Sequence, residues 1–400
     1  MTQPWLSRFM LACLAATLVL VGPVAYAQDA SKPIRIGIIA SLTGAFAENI
    51  KPATYADEVW DAQVNARGGL LGRKVVFTVV DNKSNPETGV SLFERMSQEN
   101  YDFIFENSGA LLVQRESTLA EQRKRLFMVP NGFARSLYER GYKYLFYTGA
   151  AVSEDVNIGL IRLLGTLPQA TRPQSIGYVT LENIAFTSMT KGVQDLIKPL
   201  GMASVLDVSY PINLNDATPI ISNLKQKSPD LVFQTGLVND TLLFARAVNQ
   251  QELKYKLLSI GLTAGAQPSF VPALGAAVVE GMVYATAWDT RLKTFQNAEF
   301  VKAYTEHKGF EPTYNAAQSY ARWQILEQAI KATQSVDNEV LREYLSANSF
   351  QTIQGPFKYN GKGYQTPEDT VVTQFQGGKR VIVWPKAEAT GSLIYSRPGS

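Results

Sequence analysis

A chain of 400 residues, 46% of them hydrophobic and 18% charged, holds apolar material for two domains of ordinary size and too much of it for disorder. The formal net charge of +3 is thinly spread, so nothing points to nucleic acid or an acidic membrane surface as partner. With one cysteine, Cys13, and one histidine, His307, a zinc site of the usual ligand types cannot be assembled.

The N-terminus has the pattern of an export leader. Arg8 supplies the positive charge, the run from Phe9 to Ala25 is almost wholly apolar, and Ala25-Tyr26-Ala27 offers small residues for cleavage after Ala27. Cys13 lies inside that leader, so the mature chain is expected to carry neither thiol nor disulfide. From Ile34 onward, short β-branched runs alternate with helical patterns. Strands are expected over 34–40, 75–80, 103–105 and 126–129, with helical spacing at Val59, Trp60 and Val64 and again at Leu92, Phe93 and Met96. Arg67-Gly68-Gly69 ends the first of these helices. The basic run Gln122–Arg125 is read as a solvated helix end. The alternation restarts with strands over 176–179, 204–210, 231–234, 257–260 and 282–285, and helical patterns over 189–200, 217–224, 241–249, 297–307 and 315–332.

Alternation of this kind predicts parallel sheets covered by helices on both faces. More than ten strands in one sheet is improbable, so the fold class expected is α/β, with two doubly wound parallel-sheet lobes. In the tail, Phe357-Lys358-Tyr359 and Val371–Phe375 flank Asn360-Gly361, a type I′ hairpin signal, and an antiparallel addition near a hinge is expected there.

The chemistry of catalysis is sparse. A Ser-His-Asp triad would have to use His307, no G-x-S-x-G elbow presents a serine, and no phosphate loop is present. Gly361-Lys362-Gly363 opens no helix, so it is not a dinucleotide fingerprint. Six loops rich in small, polar and aromatic residues follow the strands instead: 41–46, 107–110, 131–133, 183–186, 235–237 and 261–263. Open parallel sheets bind ligands beyond the carboxyl ends of their strands, where helix N-termini offer free N–H groups to an anion.

The segments Ile36–Phe46, Asn65-Ala66-Arg67-Gly68-Gly69-Leu70-Leu71-Gly72-Arg73-Lys74, Asp81-Asn82-Lys83-Ser84-Asn85-Pro86 and Ile353-Gln354-Gly355-Pro356-Phe357 resemble those of the leucine/isoleucine/valine-type periplasmic binding proteins. The resemblance implies a type I periplasmic binding fold whose lobes are joined by three crossovers, placed near 148–155, 285–290 and 355–364. The first lobe would comprise 34–150 and 286–355, and the second 151–285 and 356–390. It implies a small-molecule solute, an amino acid or related carboxylate or amide, as ligand. The partner would be the inner-membrane permease of an ABC importer, and the compartment the periplasm. A monomer is expected, with no catalytic residues, cofactor, metal or nucleic acid. A ligand-sensing receptor of the same fold is the alternative, and an enzyme the more remote one.

Carried over residue by residue, the resemblance puts the carboxylate of the ligand on Ser108, Gly109 and Ala110, with Asn131 and Phe133 from the next loop and Ser41 from the first. Positions of the second lobe fall on Ala185, Leu237 and Gly261. Phe46, Phe133, Phe186 and Trp288 are expected to form an aromatic-lined cleft. Gly261 is a departure, because the family's amino-acid binders place an acidic residue there to pair with the α-ammonium. Glu182 or Asp289 substitutes for it, the alignment is displaced, or the ligand has no ammonium group.

Overall fold

The computed structural model describes residues 32–212 and 214–395, and the leader expected over residues 1–27 lies outside them. The strands in chain order are β1 (Ile34–Ala40), β2 (Val75–Asp81), β3 (Phe103–Asn107), β4 (Phe127–Val129), β5 (Leu145–Tyr147), β6 (Ser175–Leu181) and β7 (Ala203–Tyr210). They continue with β8 (Leu231–Thr235), β9 (Leu257–Ser259), β10 (Val283–Thr286), β11 (Ser349–Thr352), β12 (Gly355–Lys358), β13 (Val371–Gln376) and β14 (Lys379–Trp384).

They form two parallel-sheet lobes. In the first, β1 lies between β2 and β3, and parallel β4 and β5 pack alongside β3. β1 buries both of its faces because helices cover both, which is why it is apolar without alternation from Ile36 to Ala40. The helices Ala47–Ala66 and Tyr314–Thr333 pack together here, and Trp60, Phe77 and Trp323 stack in a row between helix and sheet. In the second lobe the order is β14-β13-β10-β9-β8-β6-β7. β6 to β10 are parallel, while β13 and β14 add antiparallel at one edge. Among the described residues no helix is long and apolar enough to cross a membrane.

Two expectations are corrected. Asn360-Gly361 does not join its two flanking segments into one hairpin. β12 pairs backward with β11, and Val371–Gln376 pairs with β10 and β14 in the other lobe, where its buried face extends an existing sheet. The chain also does not leave the first lobe at residue 356. The Tyr147 N–H donates to the Gly363 carbonyl at 2.7 Å, and Tyr359 and Tyr364 pack on Phe146 and Tyr138. Burial of those rings holds residues 356–364 against β5, and the passage falls between Tyr364 and β13.

The motif segments have structural explanations. Asn65 clasps Val75 through both backbone groups, at 2.9 and 3.0 Å, and so fixes the turn from helix into β2. Gly69 has φ +80°, and a β-carbon there would collide with the Arg73 carbonyl, so glycine is required. Asp81 and Asn82 pin the loop after β1: Asp81 accepts from Leu42 N–H and Thr43 Oγ1, and Asn82 Oδ1 accepts from Ser41 Oγ at 2.8 Å. Burial works against the Asp81 carboxylate, but these donors hold it below the ordinary range. The loop so fixed delivers Phe46 to the space between the lobes.

Candidate functional site

All six strand-end loops meet at one cleft. Its walls come from Phe46, Asn49 and Ile50 after β1, Gly109 and Ala110 after β3, and Asn131 and Phe133 after β4. Opposite stand Asn183, Ala185 and Phe186 after β6, Leu237 after β8 and Thr263 after β9, while Tyr314 and Asn315 enter from a helix far along the chain. The free volume is about 40 Å³, that of a closed cleft. Phe46, Ile50 and Leu112 of the first lobe belong to the same apolar cluster as Phe186 and Leu237 of the second, so the lobes meet through side chains.

The electrostatics come from the backbone. The helices Ala47–Ala66, Ala110–Gln122, Ile184–Leu196, Val238–Gln250 and Tyr314–Thr333 all present their N-terminal ends to the cleft. The first N–H groups of a helix have no partner within it, and each such end carries a partial positive charge. Asn183 caps one of these ends by accepting from the Ala185 N–H at 3.0 Å, and Asp240 caps another through Leu237. None of the fourteen lining residues is acidic or basic.

Of the expected site residues, eight line the cleft: Phe46, Gly109, Ala110, Asn131, Phe133, Ala185, Phe186 and Leu237. Four do not. Ser41 is turned to Asn82. Ser108 lies fully buried one residue behind Gly109, and its hydroxyl has no hydrogen-bond partner among the described residues. Trp288 donates through Nε1 to Asn297 at 2.8 Å and lines an adjoining void that shares Phe133 and Tyr314 with the cleft. The fourth aromatic wall is therefore Tyr314. The contributions of Asn49, Tyr314 and Asn315 were not anticipated. Their one sequence signal is a pair of polar residues on the buried side of a helix start.

Gly261 is the fourth, and it is sealed off. A β-carbon there would lie 3.1 Å from both the nitrogen and the oxygen of Gly236 and 3.2 Å from Thr241 Oγ1. The Thr263 hydroxyl, which donates to the Gly236 carbonyl, holds that loop in place. Neither expected substitute carries an acidic charge into the cleft. Asp289 spends both oxygens on Arg291, each at 2.6 Å, and Glu182 is exposed. Introducing the acid directly should therefore fail. Gly261→Asp is expected to lower the unfolding free energy by about 1–3 kcal/mol through overpacking, measured by urea melting, and to confer no leucine binding. Leucine binding gained at unchanged stability would show that the loop has room after all.

A wider groove of about 660 Å³ runs between Pro268, Asp289, Glu311 and Arg380. Its acidic residues are paired, Asp289 with Arg291 and Glu311 with Arg380, and it adjoins the cleft through Tyr314. Among the described residues no cluster of side chains fits a metal ion.

Comparison with known proteins places the chain in a family. The family model described as periplasmic binding protein matches residues 33–379. The Leu/Ile/Val-binding protein homolog 8 of Brucella abortus is 25% identical over 379 residues, covering 91% of this chain and 93% of its own. Among solved structures, the branched-chain amino acid transporter substrate-binding protein LivJ of Streptococcus pneumoniae, in complex with isoleucine, superposes with a TM-score of 0.78. It is 16% identical, and the match covers 87% of this chain and 98% of that one. A solute-binding protein of an R. palustris ABC transporter, in complex with benzoate, has a TM-score of 0.75 at 20% identity, covering 91% and 98%.

Proposed function

The chain belongs to the periplasmic binding protein family, and from that premise we propose that it binds a small carboxylate with an apolar, aromatic-sized body and no α-ammonium group. It hands that solute, chemically unchanged, to the membrane permease of an ABC importer. The observation that carries this reading is the convergence of five helix N-termini on a cleft without an acidic side chain.

An anion gains from each of those ends and from the free N–H groups at Gly109 and Ala110. A buried ammonium would face the same positive ends with no carboxylate to pair with, at a cost of several kcal/mol. Phe46, Phe133, Phe186 and Tyr314 supply flat apolar walls suited to a ring. Between the benzoate-bound and isoleucine-bound relatives, this lining favours the former class. Entry requires the lobes to part, and the three connections near 148–157, 287–296 and 365–370 are the proposed hinges. Ligand contacts with both lobes then favour the closed form.

A thermal-shift panel of benzoate, phenylacetate, benzamide, leucine and isoleucine tests the reading. A ligand that binds only the folded chain raises its melting temperature by mass action. The two aromatic acids are expected to raise it and the two amino acids to leave it unchanged. Stabilisation by leucine or isoleucine alone would overturn the proposal.

A further inference from the structure

We infer that Asn131 makes the cleft selective for acids bearing a hydroxyl group, because it presents a carbonyl oxygen that cannot turn away. This rests on the reading of the cleft as an acid-binding site. The inference comes from a chain of three amides. The backbone carbonyl of Asn49 can only accept, so Asn315 must direct its NH₂ group there, at 2.7 Å. That leaves the Asn315 Oδ1 facing Asn131, whose Nδ2 donates to it at 2.6 Å. Rotating the Asn131 amide would set two carbonyl oxygens against each other at that distance. Its orientation is thus dictated by a backbone group two amides away.

The consequence falls on the remaining atom. Asn131 is 2% exposed, it lines the cleft, and its Oδ1 has no hydrogen-bond partner among the described residues. A buried carbonyl left without a donor is costly, and a site that must satisfy one rejects ligands that bring none. A carboxylate at neutral pH only accepts, so the acid group cannot serve, and it belongs at the helix N-termini instead. A second group on the ligand must donate. A hydroxyl does so, whereas a ring C–H, a methyl ether or a halogen does not.

Calorimetric titration of the full chain with benzoate, its three monohydroxy isomers and the corresponding methoxybenzoates tests this. At least one hydroxy isomer is expected to bind roughly tenfold tighter or better than both benzoate and its own methoxy counterpart. In Asn131→Ala, which removes the acceptor without filling the cleft, that margin should collapse, and in Asn131→Leu, of the same branching but without the acceptor, it should collapse as well. In Asn315→Leu, which leaves Asn131 but removes its lock, the hydroxy-over-methoxy margin should narrow, since an amide free to turn can donate to either oxygen. If a variant fails to fold, judged by circular dichroism, the ligand series on the unaltered chain decides alone. Equal affinity for benzoate and every hydroxy isomer, or a margin that survives Asn131→Leu, overturns the inference while leaving acid binding intact. Failure of every acid to bind, with leucine or isoleucine binding instead, removes the acid reading and this inference together.

Discussion

Asp57→Ala is expected to lower the unfolding free energy by about 3–5 kcal/mol, the cost of leaving a buried charge unpaired. Asp57 is 1% exposed and Arg322 fully buried, at 2.9 Å from Asp57 Oδ1 to Arg322 Nη2. The same Oδ1 accepts from Ser319 Oγ at 2.6 Å and Trp323 Nε1 at 2.7 Å, while Oδ2 accepts from Asn107 Nδ2 at 2.6 Å. One carboxylate thus ties the helix Ala47–Ala66 to the helix Tyr314–Thr333 and to the end of β3. Without it, the Arg322 guanidinium has no compensating charge, and burial already disfavours its charged form. Arg322→Met, which removes the positive charge and fills the space, should cost less than Asp57→Ala. Urea melting of the two variants gives the comparison. A loss below about 1 kcal/mol for Asp57→Ala, the range of an exposed pair, would show that water reaches the network. Exposed contacts such as His307 and Lys308 on Glu58 belong in that small range already. Because Asn107 directly precedes Ser108 and Gly109, Asp57→Ala should also weaken ligand binding in whatever fraction stays folded.

Much of this architecture is written in local patterns. β1, β3, β6 and β8 each carry a short apolar core buried on both faces, such as Ile36–Ala40, Phe103-Ile104-Phe105 and Leu231-Val232-Phe233, and such cores are readable even with polar residues at the strand ends. The start of the helix Ala47–Ala66 was less readable. Pro52 lies inside it and lacks the N–H that a helix interior needs, so helical spacing shows only from Val59 onward. β5 and β11 are three and four residues long, too short for a period to show. The misassigned hairpin has a different cause. The turn chemistry of Asn360-Gly361 is local, but the partner of Val371–Gln376 was decided by the exposed edge of β10, residues away in sequence and in the other lobe.

The site divides along the same line. Residues at strand ends were predictable, because the topology that makes a parallel sheet also gathers its carboxyl-end loops. Asn315 was not, since its role depends on meeting Asn131 across 184 positions of sequence. Trp288 and Tyr314 exchanged places for a polar reason. The Trp288 N–H needs a buried acceptor and finds it in Asn297, which draws the indole behind the cleft and leaves the wall to Tyr314.

Between pH 5 and 8 the chain is expected to lose stability steadily, and Glu116→Gln to flatten that loss. Glu106, at the end of β3, and Glu116, on the helix Ala110–Gln122, are both fully buried, and none of their four oxygens accepts a hydrogen bond from another described side chain or backbone group. Burial raises both carboxyls, Glu116 to about 8, and Glu106 is raised further by the neighbouring Glu116. Between pH 5 and about 8 the folded chain keeps both carboxyls protonated, and one of them donates to the other. Below pH about 4.5 the folded and unfolded chains are both protonated and the pair costs nothing. Above it, the unfolded chain has released protons that the folded one must still hold. The unfolded state then binds fewer protons, so stability falls as pH rises, by up to about 1.4 kcal/mol per pH unit for one carboxyl, until the folded group itself titrates near 8. Glutamine keeps the volume and a donor for Glu106 while removing one titrating group, and the room beside it is tight, since a β-carbon on Gly89 would collide with Glu116 Oε1. Urea melts at each pH should therefore show the steepest decline in the unaltered chain. Glu116→Gln should decline less, and Glu106→Gln with Glu116→Gln least, with the single variant ahead by about 4 kcal/mol at pH 8. Three parallel curves would mean that the two carboxyls are hydrated and ionised in the folded chain, and that the strand and the helix carrying the Gly109 loop are not joined by a shared proton.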